Sequence, residues 1–174
     1  MKRYVITGGP GRGKSTLIEI LAARGYGVVP EAARIIIEEE LSKNSDALPW
    51  KNLSLFQAKV AQKQLDLESE AVEDTLFLDR GIVDGYGYCM YGKISVPASI
   101  LENIERNDNR YDKVFILESI SGYKSDKTRF EDEKMATDIH DAIVAAYDKF
   151  GYKPIIVPAL PPEQRADFVI AHIA

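Results

Sequence analysis

The residues best equipped for chemistry form the run Gly8-Gly9-Pro10-Gly11-Arg12-Gly13-Lys14-Ser15-Thr16. Gly8 to Ser15 has the spacing G-x-x-x-x-G-K-[ST], whose chance occurrence in a chain of this length is on the order of one in a hundred or less. Such a loop has meaning only between a strand and a helix. Here the β-rich Tyr4-Val5-Ile6-Thr7 precedes it and a helical pattern from Ser15 to Arg24 follows. Glycines at Gly8, Gly11 and Gly13 let backbone N–H groups turn inward around phosphate oxygens without Cβ clashes. The helix that begins near Lys14 adds the positive end of its dipole. Lys14 is then placed to reach the outer phosphates of a triphosphate, and the Ser15 hydroxyl is suited to ligate Mg²⁺. Gly9, Pro10, Arg12 and Thr16 complete the expected nucleotide-binding set.

Acids and cations at the ends of apolar runs come next. Asp79 and Arg80 follow Thr75-Leu76-Phe77-Leu78. A carboxylate at that place can hold Mg²⁺ through its water shell, because the ion dehydrates reluctantly. Arg80 would lie over the transferring phosphate or an acceptor. Glu31 stands just past the run Val28-Val29-Pro30 and is expected to orient or deprotonate an acceptor hydroxyl. Arg34 and Asp84 are further acceptor-side candidates, although Asp84 reads equally as a simple acid at the start of the helix after Asp79-Arg80. Gln57, Gln62 and Gln64 share one helical stretch and could read an acceptor ring, although a surface position is the simpler expectation. Lys124, Lys127 and Arg129 fall in the polar stretch 119–134, which reads as a lid, with Arg129 the preferred ligand for a phosphoryl group. His140 and His172 lack metal-ligand spacing and read as structural. Trp50 and the tyrosines read as core or rim.

These residues need elements to hold them. Further strands are expected at Val28-Val29, Thr75–Leu78, Lys113–Leu117 and Pro154–Val157. Helical spacing covers Glu31–Ser42 and Leu53–Glu73, a helix follows Asp79-Arg80, and a short C-terminal helix starts at Pro162. The strands are short continuous apolar runs that alternate with helices, the signature of a parallel sheet covered on both faces. An α/β three-layer sandwich of five parallel strands in one domain over residues 1–174 is therefore expected.

The chain has 174 residues, a net charge of −5 and one cysteine, Cys89. That excludes an intrachain disulfide or a cysteine-based zinc site and fits a reducing, cytoplasmic setting. The acidic balance argues against nucleic acid as a partner. No run approaches the ~18 apolar residues of a membrane span, and the N-terminal apolar stretch is too short for a signal peptide. A homo-oligomer is left open.

Taken in order, Gly8–Thr16, Val29-Pro30-Glu31-Ala32-Ala33-Arg34, Phe77-Leu78-Asp79-Arg80-Gly81 with Asp84, and Thr128-Arg129-Phe130 resemble the AAA-labelled P-loop family that includes the ribosylnicotinamide kinase domain of the bacterial regulator NadR. The resemblance runs over nearly the whole chain. It implies the fold of nucleoside and nucleotide kinases, with strand order 2-3-1-4-5. It also implies that Glu31 serves the acceptor, while Asp79 and Arg80 serve magnesium and phosphate. The expected activity is transfer of the γ-phosphoryl group of ATP, or alternatively GTP, with Mg²⁺ to a small acceptor such as a nucleoside, nucleotide or ribosyl compound. Lys14, Glu31, Asp79, Arg80 and Arg129 would be the catalytic residues. Two other classes fit the same loop: an acceptor-independent triphosphatase, and a nucleotide-dependent switch acting on a protein partner.

Overall fold

A computed structural model describes residues 1–106, 110–119 and 133–173. The strands are β1 (Lys2–Thr7), β2 (Gly27–Val29), β3 (Thr75–Asp79), β4 (Lys113–Leu117) and β5 (Ile155–Val157). They form one parallel sheet in the order β2-β3-β1-β4-β5, as expected. The helices are α1 (Lys14–Ala23), α2 (Ala32–Ser42), α3 (Leu53–Glu70), α4 (Ile82–Tyr91), α5 (Ala98–Glu105), α6 (Glu133–Lys149) and α7 (Pro162–Ala171).

Successive strand residues point to opposite faces, and both faces are covered. On one side Val5, Leu78, Val114 and Ile116 pack with Val83 of α4 and with Ile143 and Tyr147 of α6. On the other, Tyr4, Ile6, Phe77, Phe115 and Leu117 pack with Leu17 and Leu21 of α1 and Val169 of α7. This two-sided burial is why the strands read as unbroken apolar runs.

Several details depart from the sequence reading. The third helix ends at Glu70, where Ala71 turns to extended backbone. No element was expected between the fourth and fifth strands or after Tyr91, yet α5 and α6 fill these places. The signal for α6 was present: Ala136, Ile139, Ile143, Ala146 and Tyr147 form one apolar stripe, all buried. Gln57 and Gln64 are each 3% exposed rather than on the surface. Trp50, expected in the core or rim, is exposed. Among the described residues no helix is long and apolar enough to cross a membrane.

The register places the site. Ile6 pairs with Asp79 and Thr7 with Ile116, so the carboxyl ends of β1, β3 and β4 converge beneath the loop 8–13. Ligands of open parallel sheets bind at this edge.

Candidate functional site

The loop between β1 and α1 is held from outside by four backbone contacts. The Gly8 carbonyl accepts from Arg80 Nη1 at 3.2 Å, and the Gly9 N–H donates to His140 Nδ1 at 3.2 Å. The Gly9 carbonyl accepts from Lys14 Nζ at 2.8 Å, and the Arg12 carbonyl from Arg165 Nη1 at 2.7 Å. By contrast, the N–H groups of Gly11, Arg12, Gly13, Ser15 and Thr16 meet no acceptor among the described residues. These residues are partly or fully exposed, and their N–H groups lie at a helix N-terminus, the arrangement that binds anions. Gly8, Gly11 and Gly13 have φ of 129°, 70° and 82°, which only glycine adopts without cost. Gly9 is a glycine for another reason: a Cβ there would lie 2.4 Å from the Ala136 carbonyl oxygen of α6.

Asp79 ends β3 below α1. Its Oδ2 accepts from Ser15 Oγ at 3.4 Å, and its buried Oδ1 has no hydrogen-bond partner among the described residues. Burial, with the Glu31 charge nearby, pushes its pKa up against the pull of Lys14, Arg80 and Arg34. A carboxylate in this condition suits a cation. Among the described residues no group of three or more His, Cys, Asp or Glu is placed to hold a metal. An ion here would therefore draw most of its ligands from a bound phosphate and water, as Mg²⁺ commonly does.

Glu31, the residue before α2, accepts from Arg80 Nε at 2.9 Å through one oxygen and from Arg34 Nε at 2.8 Å through the other. Burial would raise its pKa, but Arg80, Lys14 and Arg34 together pull it down to about 2. Arg34 also reaches Ser15 Oγ at 3.4 Å. A row of polar groups thus runs from Ser15 through Arg34 and Glu31 to Arg80.

Arg80 has the unusual φ of 75° for a residue with a side chain, a conformation that costs energy and needs support. Its N–H donates to the Ile6 carbonyl at 3.0 Å, and its guanidinium stands over the Tyr88 ring at 5.3 Å. Nη1 also donates to Asp84 Oδ1 at 3.2 Å. Burial works against its charge, but Tyr88, Glu31, Asp84 and Asp79 outweigh that, so its pKa is raised. Nε and Nη1 are occupied, whereas Nη2 meets no acceptor among the described residues.

Asp84, an acceptor-side candidate or equally a simple helix-start acid on sequence grounds, is held inside the fold at the start of α4. It is 3% exposed and accepts from Thr7 Oγ1 (2.5 Å), Arg80 (3.2 Å), the Gly81 N–H (3.0 Å) and Tyr147 Oη (2.6 Å). A buried carboxylate must be satisfied in this way, and its task is to hold Arg80 and the start of α4. A second buried group supports the same turn from the far side. Glu68 accepts from Gln64 Nε2 (2.9 Å), Tyr111 Oη (3.0 Å) and Arg110 Nε (2.8 Å), while Tyr111 Oη accepts from the Ile82 N–H at 2.8 Å. Sequence reasoning passed over Glu68, Arg110, Tyr111 and Arg165, because their partners lie far away in the chain.

Gln57 of α3 is almost fully buried beside Gly85. His140, read as structural, holds the loop at Gly9. Burial, with Arg12 and Lys14 nearby, brings its pKa down to about 4, so Nδ1 is an acceptor at neutral pH. His172 Nδ1 meets the Phe168 carbonyl, away from the loop. Lys124, Lys127 and Arg129 lie outside the described residues, as does most of the expected lid.

The fold and loop are those of the P-loop α/β proteins, with the strand order β2-β3-β1-β4-β5. The AAA domain family matches residues 3–165, and the chain belongs to that family. No curated protein matches it. Among solved structures, NadR in complex with NR shares 24% identity at a TM-score of 0.66, over 90% of this chain and 45% of NadR. NadR in complex with NAD and AMP-PNP shares 22% identity at 0.67, over 99% of this chain and 48% of that one. The chain therefore spans about half the length of NadR. Thymidylate kinase from Ehrlichia chaffeensis is 13% identical with a TM-score of 0.66, covering 99% of this chain and 98% of that chain. At these identities the likeness is one of fold.

Proposed function

We propose that this chain transfers the γ-phosphoryl group of ATP, with Mg²⁺, to a hydroxyl of a small acceptor, a nucleoside, nucleotide or ribosyl compound. The observation that carries this reading is the polar row Ser15–Arg34–Glu31–Arg80 beside the loop. A bare hydrolase needs only a positioned water there. A carboxylate gripped by two arginines fits recognition of a larger polar molecule. The similar folds of a thymidylate kinase and a deoxyadenosine kinase support the same reading.

In this scheme the inward N–H groups and Lys14 bind the β and γ phosphates. Ser15 Oγ, and Asp79 through water, would hold Mg²⁺, which neutralises phosphate charge. The acceptor oxygen forms a bond to the γ-phosphorus as the bridge to the β-phosphate breaks, and the diphosphate leaves with the electron pair. Glu31 accepts the hydrogen bond of the acceptor hydroxyl and so aims it. A carboxylate held near the bottom of its range is a weak base, so alignment is its contribution, and the proton leaves after the phosphorus–oxygen bond has formed. Arg80 Nη2 faces the charge gathering on the transferred group.

The test is phosphate transfer from ATP measured with and without a panel of nucleosides, nucleotides and ribosyl compounds, using Lys14→Ala as control. Transfer that appears with an acceptor and falls about 100-fold or more in Lys14→Ala is expected. Steady phosphate release that ignores every acceptor and is lost in Lys14→Ala would identify a triphosphatase instead.

A further inference from the structure

Arg165 lies in the first turn of α7, outside every motif, and is 1% exposed. Its guanidinium serves three carbonyls from three separate segments. Nε donates to Pro158 at 3.0 Å, just past β5; Nη2 donates to Glu118 at 2.8 Å, just past β4; Nη1 donates to Arg12 at 2.7 Å, inside the phosphate loop. No carboxylate forms an ion pair with it among the described residues. Burial and the Arg12 charge work against its own charge, offset in part by the Glu118 charge nearby, and its three carbonyl contacts are what satisfy its donors. The rigid planar fork suits three carbonyls set at different angles.

The contact with Arg12 matters most. A peptide unit is planar and trans, so the Arg12 carbonyl and the Gly13 N–H point in opposite directions. Holding that carbonyl outward turns the Gly13 N–H inward, toward the place where the unpaired loop donors converge. Gly13 sits at φ 82°, where glycine is free to rotate into other conformations when nothing holds its peptide. We infer that Arg165 is a positioning residue for triphosphate binding: it sets the Arg12–Gly13 peptide so that the cradle is formed before the ligand arrives, and it ties that loop to the exits of β4 and β5. This rests on the triphosphate reading given above.

The experiment measures the affinity of ATP and of inorganic tripolyphosphate for the wild type, Arg165→Met and Arg165→Lys, together with circular dichroism and Tm. Arg165→Met keeps the volume and removes the donors. It should weaken both ligands by about tenfold or more, and Arg165→Lys should recover part of the loss. Tripolyphosphate has no base, so its loss separates the phosphate cradle from the rest of a nucleotide site. A folded Arg165→Met protein with wild-type tripolyphosphate affinity overturns the inference, as does a loss confined to ATP. If Arg165→Met does not fold, a folded Arg165→Lys protein with undiminished affinity for both ligands overturns it. Wild-type protein that binds neither ligand refutes the triphosphate reading itself.

Discussion

Alanine at position 9 tests whether α6 truly seats on the phosphate loop. Gly9 is not among the glycines with positive φ, so its backbone would accept a side chain. Space is what forbids one: the added Cβ would lie 2.4 Å from the Ala136 carbonyl oxygen and 2.9 Å from the His140 Cβ. Helix backbone and the root of a side chain cannot step aside as a flexible tip would. Overpacking of this kind costs ~1–3 kcal/mol. A domain of this size loses about 2–4 °C of Tm per kcal/mol, so Tm should fall by roughly 2–12 °C. Because the loop must move away from His140, ATP affinity should fall as well. Gly25→Ala is the control, since nothing lies within 4 Å of its added Cβ and its φ is 90°. It should cost about 1–2 kcal/mol from backbone conformation alone, with ATP affinity unchanged. Wild-type Tm and ATP affinity in Gly9→Ala, measured by thermal melting and calorimetry, would refute the contact between helix and loop.

Tyr111→Phe leaves the buried Ile82 N–H without its partner and removes one of the two donors to Glu68 Oε1, which keeps Gln64 Nε2. It should destabilise the chain by about 1–3 kcal/mol and lower kcat more than it raises the KM for ATP, since the turn it supports carries Arg80. Equal stability in thermal melts would contradict this network. His140 gives a pH prediction. Its folded pKa is brought down to about 4 from an ordinary 6.5 by burial and by Arg12 and Lys14, against Asp141. The unfolded chain binds this proton first, so stability is full above 6.5 and is lost as pH falls toward 4. His140→Gln should show a shallower decline of Tm between pH 7 and 4 than the wild type; identical slopes would rule out the contribution.

Much of the geometry of the loop 8–13 was legible because its physics is local. Three of the loop glycines answer to their own backbone angles, and Lys14 and Ser15 owe their places to the start of α1 directly after them. Asp79 could be placed because β3 is short and apolar up to that residue. The acceptor side was less readable. Asp84 looked like an open helix-start acid, and only the approach of Thr7 and Tyr147 shows that it is consumed internally. Gln57 and Gln64 looked like surface residues, since a polar side chain in a helix announces no partner by itself. The α6 stripe was readable from its period but lies after a long polar stretch that offered no start signal.

Sequence alone determined that this chain has an alternating α/β order, a glycine-rich loop between its first strand and first helix, and acids at the ends of its strands. These follow from contacts within a few residues, where chain geometry leaves little choice. Tertiary structure decided which outer contacts hold that loop: Arg80 at Gly8, His140 at Gly9 and Arg165 at Arg12, the last from 153 positions away. It also decided that, among the described residues, Asp79 keeps an unpaired oxygen while Asp84 keeps none. The two carboxylates are alike in type and in being buried. Their difference arises from the packing of β1, β3 and α6, because hydrogen-bond satisfaction depends on neighbours that only the folded sheet brings together.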